Sequence, residues 1–146
     1  MKTSVRGLAL IKQFEGFSPT AYLCPAGKAT IGYGHVIQDG EYFAKPLSEQ
    51  EAEKLLAQDI SKAERNINRL VTSALNQNQF DALASFIYNV GAKAFEKSTL
   101  LKKIQEDEPE AAAQEFSRWV FSQGKSLKGL KNRRDAEQRL FIQPIE

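Results

Sequence analysis

The sequence predicts an α+β fold that is mostly helical, with a small β-hairpin region near the N-terminus. Apolar residues recur at helical spacing through most of the 146-residue chain. Residues 16–46 differ, because Ser18-Pro19, Pro25-Ala26-Gly27-Lys28 and Asp39-Gly40 divide them into short runs typical of turns and strands. The length suits one domain, or two small lobes that share a core, so we expect a single domain over residues 1–146.

The composition is that of an ordinary globular protein. A hydrophobic share of 42% and a charged share of 26% argue against disorder. The net charge of +2 by itself implies no nucleic-acid partner. Cys24 is the only cysteine, which excludes an intramolecular disulfide. The apolar run from Leu8 to Ile11 is too short for a signal peptide or a membrane span, so we expect no stable membrane insertion.

The first helix should end beside the hairpin, with Glu15 where the two meet. Thr3 or Ser4 can cap this helix, and its apolar stripe is formed by Val5, Leu8, Ile11 and Phe14. A hairpin is predicted next, from a short apolar run over 21–23, a turn over 25–28 and a β-like run over 29–31. The β-like run is closed by Gly32-Tyr33-Gly34-His35. The negative end of a helix favours the protonated form of a carboxyl group, and a proton-donating Glu is what glycosidic cleavage requires.

The remaining helices follow from capping signals and periodicity. Ser48 and Glu51 form a capping box that opens the longest helix, which runs to about Val71 and spans ~36 Å. The next begins at Asn76–Gln79, buries Phe80, Leu83, Ile87 and Val90, and stops at Gly91. Shorter helices are predicted from Ser98 through Ile104, from Pro109 to Gly124, and from about Arg133 to Phe141.

The spacing of three polar residues near the hairpin resembles a known family. Eight residues separate Glu15 from Cys24, five separate Cys24 from Thr30, and Gly-x-Gly-His follows within TIGYGH. This pattern is similar to that of the phage-type (T4-like) lysozymes, the endolysins of glycoside hydrolase family 24. The run NQNQFDALASFIYNVGAKAF also resembles that family. The resemblance implies a lysozyme-like fold with a β lobe over about 16–46, a linking helix over about 48–71 and a helical lobe over about 76–142.

The resemblance also implies roles for individual residues. Glu15 would be the general acid and Thr30 would hold the attacking water, while Arg133 would pair with Glu15. Cys24 stands where the family has Asp or Cys, and three roles stay open: a thiolate base or nucleophile, a neutral water-positioning group, or a small buried hydrophobe. The substrate-binding residues implied are Tyr22, Gly34, His35, Tyr88 and Asn89, with a hydrogen-bonding role expected for His35.

Each of these residues also has an ordinary structural explanation. Most Glu side chains are simply solvated, and β-branched Thr30 suits a strand. Tyr22 and Tyr88 fit a core, Gly34 fits a turn and Arg133 fits a solvated helix start. The basic cluster near the C-terminus is either a solvated face or a region attracted to anionic surfaces; its members are Lys125, Lys128, Lys131, Arg133, Arg134 and Arg139.

The function implied is that of a glycoside hydrolase, a lysozyme that cleaves the β-1,4 bond between N-acetylmuramic acid and N-acetylglucosamine in peptidoglycan. Such an endolysin lyses its bacterial host and needs no cofactor or metal. We expect a monomer that accumulates in the host cytoplasm and reaches the periplasm through a holin. Two alternatives are a lytic transglycosylase, which uses the same Glu15 without water, and a non-catalytic cell-wall-binding protein.

Overall fold

A computed structural model describes residues 1–122 and 125–145. The helices are α1 (Val5–Glu15), α2 (Glu49–Leu70), α3 (Gln77–Val90), α4 (Ala92–Glu96), α5 (Thr99–Gln105), α6 (Pro109–Glu115) and α7 (Lys128–Ile142). The strands are β1 (Ser18–Leu23), β2 (Ala29–Gly32), β3 (His35–Val36), β4 (Phe121–Ser122) and β5 (Lys125–Ser126). The predicted α+β, mostly helical class is therefore confirmed. Among the described residues, no helix is both long and apolar enough to cross a membrane.

The sheet β1-β2-β3 is antiparallel and presents two different faces. Thr30 lies opposite Tyr22 on one side and Val36 on the other, so these three side chains form a row on one face. Ile31 lies opposite His35, and alternation along the strand puts both on the other face. Ile31 and His35 are buried, so this second face belongs to the core.

The turn predicted at Ser18-Pro19 is wrong, because both residues begin β1. Ser18 pairs with Gly32, and the register then shifts before Tyr22. β1 lies at the edge of the sheet, where a proline that lacks an N–H is tolerated. The carbonyl of Pro19 accepts a hydrogen bond from Leu47 N at 2.8 Å, which ties this edge to the start of α2.

The long helix α2 contacts the sheet near one end and the helices near the other. Both bonds of the predicted capping box between Ser48 and Glu51 are present. Ala52 packs against Gly32 of the sheet, while Leu70 O accepts a hydrogen bond from Gln105 Nε2 of α5 at 2.7 Å. The helix therefore bridges the two regions, as the resemblance implies; the lobe boundaries themselves stay a prediction.

The central helix α3 is buried on more faces than its apolar stripe predicts. It packs against α1, α2 and α7, and its buried residues include the polar Asp81 and Ser85. Gly91 ends the helix at φ 95°, as expected. Asn76, where the helix was expected to begin, forms a capping box with Gln79 that was not identified from the sequence. At α1 the predicted cap Ser4 is confirmed, but Val5 is 84% exposed and does not belong to the buried stripe.

The helix predicted from Pro109 to Gly124 ends at Glu115, and this prediction is wrong. A 3₁₀ turn, Phe116–Arg118, follows, and then strands β4 and β5; Gly124 itself lies outside the described residues. The ring centroids of Phe116 and Trp119 each lie 5.4 Å from that of Phe86. Helix α7 begins at Lys128 rather than near Arg133, and its first turn lines the large cavity of the molecule.

Candidate active site

One cavity of about 760 Å³ brings together nearly all the residues that the sequence singled out. Its walls come from the end of α1, the sheet, the end of α3, and α7. Of the predicted site residues, it is lined by Glu15, Tyr22, Cys24, Thr30, Gly34, Tyr88, Asn89 and Arg133. The volume is in the range of sites that hold small molecules or a segment of a polymer. Segments distant in sequence therefore converge on one site.

Glu15 is the last residue of α1, and its side chain is 19% exposed. Its Oε2 accepts a hydrogen bond from Arg133 Nη1 at 2.7 Å. Gly34, in the turn between β2 and β3, lies directly against the carboxyl group. The carboxyl group is thus held at the cavity wall by one strong charge-assisted bond from the guanidinium, with part of its surface open to the cavity.

Arg133 is almost fully buried, and each of its nitrogens has a partner. Besides the Nη1 bond to Glu15, Nη2 donates to Ser85 O at 3.2 Å. Its Nε lies 3.3 Å from both Ser85 Oγ and Glu137 Oε2. The sequence predicted the pairing of Arg133 with Glu15, and the two side chains do meet.

Three buried residues behind Arg133 were not recognised from the sequence: Ser85, Arg134 and Glu137. All three side chains are 0% exposed. Arg134 Nε lies 2.7 Å from Glu137 Oε1, and Ser85 Oγ donates to Glu137 Oε2 at 2.6 Å. Burial raises the pKa of Glu137, while Arg134 and Arg133 oppose that rise. The one signal in the sequence was the four-residue spacing from Arg133 to Glu137 on a helix.

Thr30 lies in the row of side chains on the cavity face of the sheet. Its residue is 2% exposed, and its hydroxyl donates a hydrogen bond to Lys28 O at 2.9 Å. A hydroxyl has one proton to donate but two lone pairs to accept with. The Thr30 oxygen is therefore available toward the cavity as an acceptor.

Cys24 follows β1 and is a half-buried free thiol. Its N donates to Lys28 O at 2.9 Å and its O accepts from Gly27 N at 2.8 Å, so the turn curls around the side chain. Hydrogen bonds from backbone amides, first that of Lys28 and then that of Ala26, lower the pKa of Cys24. Partial burial opposes this shift, and the Thr30 hydroxyl adds to it only when its proton turns from Lys28 O toward the sulfur. The thiolate is favoured relative to an ordinary cysteine.

Tyr88 fixes the turn that carries Gly34. Its hydroxyl donates a hydrogen bond to Tyr33 O at 2.8 Å. Burial, together with the negative charges of Asp59 and Glu15, raises the pKa of Tyr88, so the hydroxyl keeps its proton. Asn89, the next residue, is exposed at the cavity edge.

His35 does not line the cavity and is 6% exposed on the core face of the sheet. Its Nδ1 lies 2.7 Å from Asp59 Oδ2 of α2, and its Nε2 lies 2.9 Å from Glu41 Oε1. Burial lowers the pKa of His35, but the hydrogen bonds to Asp59 and Glu41 outweigh it and the pKa is raised. Both ring nitrogens are occupied, which supports the expected hydrogen-bonding role and not substrate contact.

Three apolar residues of the cavity wall had no functional signal in the sequence: Trp119, Phe121 and Leu127. They belong to the segment predicted as helix and loop. Phe121 is 62% exposed although it is aromatic. Strand β4 carries Phe121 and the start of α7 carries Leu127, and the sequence predicted neither element there.

Comparison with known proteins identifies the family of the chain. The sequence profile described as phage lysozyme matches residues 12–137. The chain is 39% identical to an endolysin of Acyrthosiphon pisum secondary endosymbiont phage 1, over 97% of this chain and 98% of that protein. It is 43% identical to an endolysin of Bacillus phage PZA over 97% of this chain, but it spans only about half of that protein's length, 55%.

A solved structure extends the likeness to the fold. The endolysin from Escherichia coli O157:H7 phage FAHEc1 superposes with a TM-score of 0.88 at 34% identity, over 97% of this chain and 94% of that chain. At such identity and coverage, both the fold and the family are shared. The chain belongs to the phage lysozyme family.

Proposed function

We propose that this family member is an endolysin, a muramidase that hydrolyses the β-1,4 bond between N-acetylmuramic acid and N-acetylglucosamine in peptidoglycan. The observation that carries the proposal is the Glu15 carboxyl group, held by Arg133 at 2.7 Å in a cavity that Cys24 and Thr30 also line. A positioned carboxyl group facing a second polar cluster is the arrangement that glycoside hydrolysis requires.

Glu15 acts as the general acid in this proposal. Oε2 is engaged by Arg133, so Oε1 carries the proton that passes to the leaving glycosidic oxygen. Thr30 accepts a hydrogen bond from the attacking water, because its own proton is donated to Lys28 O. The water then adds to the anomeric carbon as the bond to the leaving oxygen breaks, and its second proton leaves to a base or to solvent.

Cys24 is the base that accepts this proton. The amides of its turn lower the pKa of the thiol, so a thiolate is present in a larger fraction of molecules at neutral pH than in free cysteine. A water attack assisted in this way inverts the anomeric carbon, whereas direct attack by sulfur retains its configuration.

The first test is lysis of chloroform-treated Gram-negative cells, followed as loss of turbidity. Glu15→Gln keeps the shape of the side chain but removes the proton, so lysis should fall by roughly a hundredfold or more. Glu49→Gln is the matched control, since Glu49 is an exposed residue in the first turn of α2. Lysis that survives Glu15→Gln would overturn the role of Glu15.

Analysis of the released fragments decides the reaction class. A hydrolase gives muropeptides with reducing ends, which mass spectrometry distinguishes from anhydro products. Anhydro sugars would identify a lytic transglycosylase, and wall binding without any release would identify a binding protein. NMR of the newly formed anomer, with Cys24→Asp and Cys24→Ala beside the wild type, separates water attack from sulfur attack.

We also propose a monomer that is released through a holin and touches anionic surfaces only weakly. Of the basic cluster, Arg133 and Arg134 are buried in ion pairs, while Lys128, Lys131 and Arg139 are exposed. Co-sedimentation with phosphatidylglycerol vesicles should therefore be weak and sensitive to salt. Binding that is unchanged in a Lys128→Gln/Lys131→Gln variant would contradict this use of the cluster.

A further inference from the structure

We propose that Glu137 is a positioning residue for the reaction: it fixes the guanidinium of Arg133 and shares its charge, and thereby sets the orientation and charge state of Glu15. The proposal deepens the proposed function, since it depends on Glu15 being the acid. It concerns a residue that lies behind the cavity wall and touches no substrate.

The geometry shows one guanidinium divided between two carboxylates. Arg133 Nη1 lies 2.7 Å from Glu15 Oε2, and Nε lies 3.3 Å from Glu137 Oε2. Glu15 faces the cavity, while Glu137 is 0% exposed. The two contacts lie on different edges of the guanidinium plane, so together they fix its orientation.

Glu137 is itself immobilised, which is what a positioning residue needs. Arg134 Nη2 donates to Glu137 Oε2 at 3.1 Å, and Ser85 Oγ donates to the same oxygen at 2.6 Å. The guanidinium of Arg134 also lies 5.0 Å from the Phe86 ring centroid. Ser85 therefore contacts both partners, because its hydroxyl also lies within 3.3 Å of Arg133 Nε.

Stability alone is a weak explanation for such a group. Replacing a buried ion pair with well-packed apolar side chains is often neutral or stabilising. A long arginine side chain without partners samples many rotamers, and its nitrogen would not stay at 2.7 Å from Glu15. The buried carboxylate thus supplies a fixed direction that an apolar residue does not supply.

Charge sharing gives the proposal a measurable consequence. Glu137 is faced by Arg133 and Arg134 from α7 and by the Ser85 hydroxyl from α3. Glu15 is faced by Arg133 from α7 and by three other ionisable groups, which are Tyr22, Cys24 and Tyr88. Two guanidinium groups are balanced by two carboxylates in this network. Removing Glu137 leaves an excess positive charge beside Glu15, which favours its ionised form.

The experiment compares wild type with Glu137→Gln on soluble peptidoglycan fragments across pH. We expect kcat to fall about tenfold with KM little changed, because positioning acts on the transition state. The alkaline limb of kcat/KM, where the acid loses its proton, should move to lower pH by about one unit. An unchanged limb would overturn the proposal.

Asp81→Asn is the matched control. Asp81 is another carboxyl group at 0% exposure on α3, and it accepts hydrogen bonds from Ser4 N and Gln77 Nε2, at 2.9 and 2.8 Å. It has no contact with Arg133, so its loss should reduce stability without moving the pH profile. A shift of equal size in Asp81→Asn would mean that the effect is general destabilisation.

Two further measurements keep the outcome clear. Ser85→Ala removes one hydroxyl from the network at small structural cost. It should move the alkaline limb of kcat/KM to lower pH, as Glu137→Gln does, but by a smaller amount. If Glu137→Gln does not fold, an unchanged limb in Ser85→Ala would refute the proposal. A ¹³C-carboxyl NMR titration of Glu15 needs no activity. An active Glu15→Gln variant would refute the proposed function. A Glu15 titration curve that is the same in wild type, Glu137→Gln and Ser85→Ala would refute only the role of Glu137.

Discussion

A Cβ added at Gly34 would lie 2.5 Å from Oε1 and 2.8 Å from Cδ of Glu15. The absence of a side chain at Gly34 is thus what leaves room for the carboxyl group. Gly34 also has φ +81°, a backbone conformation that residues with a Cβ rarely adopt. The turn between β2 and β3 and the end of α1 fit together only with glycine at this position.

Gly34→Ala should therefore slow lysis strongly while the chain still folds. The added methyl group must displace Glu15 from Arg133 and from its place at the cavity wall, and we expect a loss of about a hundredfold in kcat/KM. Gly40→Ala is the control, because Gly40 has φ +88° but nothing within 4 Å of its added Cβ. Both variants should lose about 1 kcal/mol of stability from backbone strain; equal activity in the two would contradict the clash.

The ion pairs of His35 should make stability depend on pH. The pKa of His35 is raised in the folded chain, so its contribution is present below the unfolded pKa of about 6.5 and is lost as the pH rises through the folded pKa. The pKa of Glu41 is lowered, by Gln38 N first and then by His35. Its contribution is present above its unfolded pKa and is lost as the pH falls through the folded pKa.

The comparison that tests this is urea unfolding of wild type and His35→Gln. Near pH 5.5 the wild type should be more stable by about 2 kcal/mol, since both hydrogen bonds of the ring are charge-assisted. The difference should shrink at alkaline pH and again in strong acid. A difference that stayed constant from acid to alkaline pH would show that His35 acts by packing alone.

Alkylation should report the thiolate of Cys24. Because backbone amides of Lys28 and Ala26 lower its pKa, the rate of reaction with iodoacetamide should reach half its plateau at lower pH than for the same chain in denaturant. Thr30→Val should raise that midpoint only slightly, since the amide of Lys28 is the largest cause. Identical midpoints in folded and unfolded chain would contradict this account of the turn.

Tyr88→Phe should weaken both stability and activity. The variant deprives the Tyr33 carbonyl of its donor at 2.8 Å, which we expect to cost about 1 kcal/mol of unfolding free energy. The turn that carries Gly34 is then less firmly held against Glu15, so kcat should also fall. Tyr42→Phe is the control, because Tyr42 is 88% exposed. The loss of kcat in Tyr88→Phe should be the same at every pH of the assay, since the raised pKa of Tyr88 keeps its hydroxyl protonated.

The parts of the fold that the sequence predicted well are those decided within a few residues. The capping box between Ser48 and Glu51 involves residues only three positions apart, and apolar periodicity locates the helix that follows. Phe116 and Trp119 show the limit of such local signals. Their spacing of three suits an α-helix and a 3₁₀ turn alike, and both rings pack against Phe86, a distant residue that no local pattern identifies.

The candidate site was predictable where a family pattern covered it and not where distant packing made it. Glu15, Cys24 and Thr30 lie within one short stretch, and the resemblance named Arg133. Glu137 meets Ser85 52 positions away, and nothing local reveals that both are buried. The sequence singled out His35 but not its partner Asp59, which lies 24 positions further along the chain. The face of the sheet on which the His35 side chain lies could therefore not be predicted.

The bond between Glu15 and Arg133 joins residues 118 positions apart, and this separation has a consequence during protein synthesis. At ~5–20 residues per second, roughly 6 to 24 s pass between the addition of these two residues. A nascent chain emerging from the ribosome thus carries the hairpin side of the cavity long before the guanidinium that orients the acid. Glu15 therefore lacks the guanidinium that orients it until helix α7 has been synthesised, without any separate inhibitor.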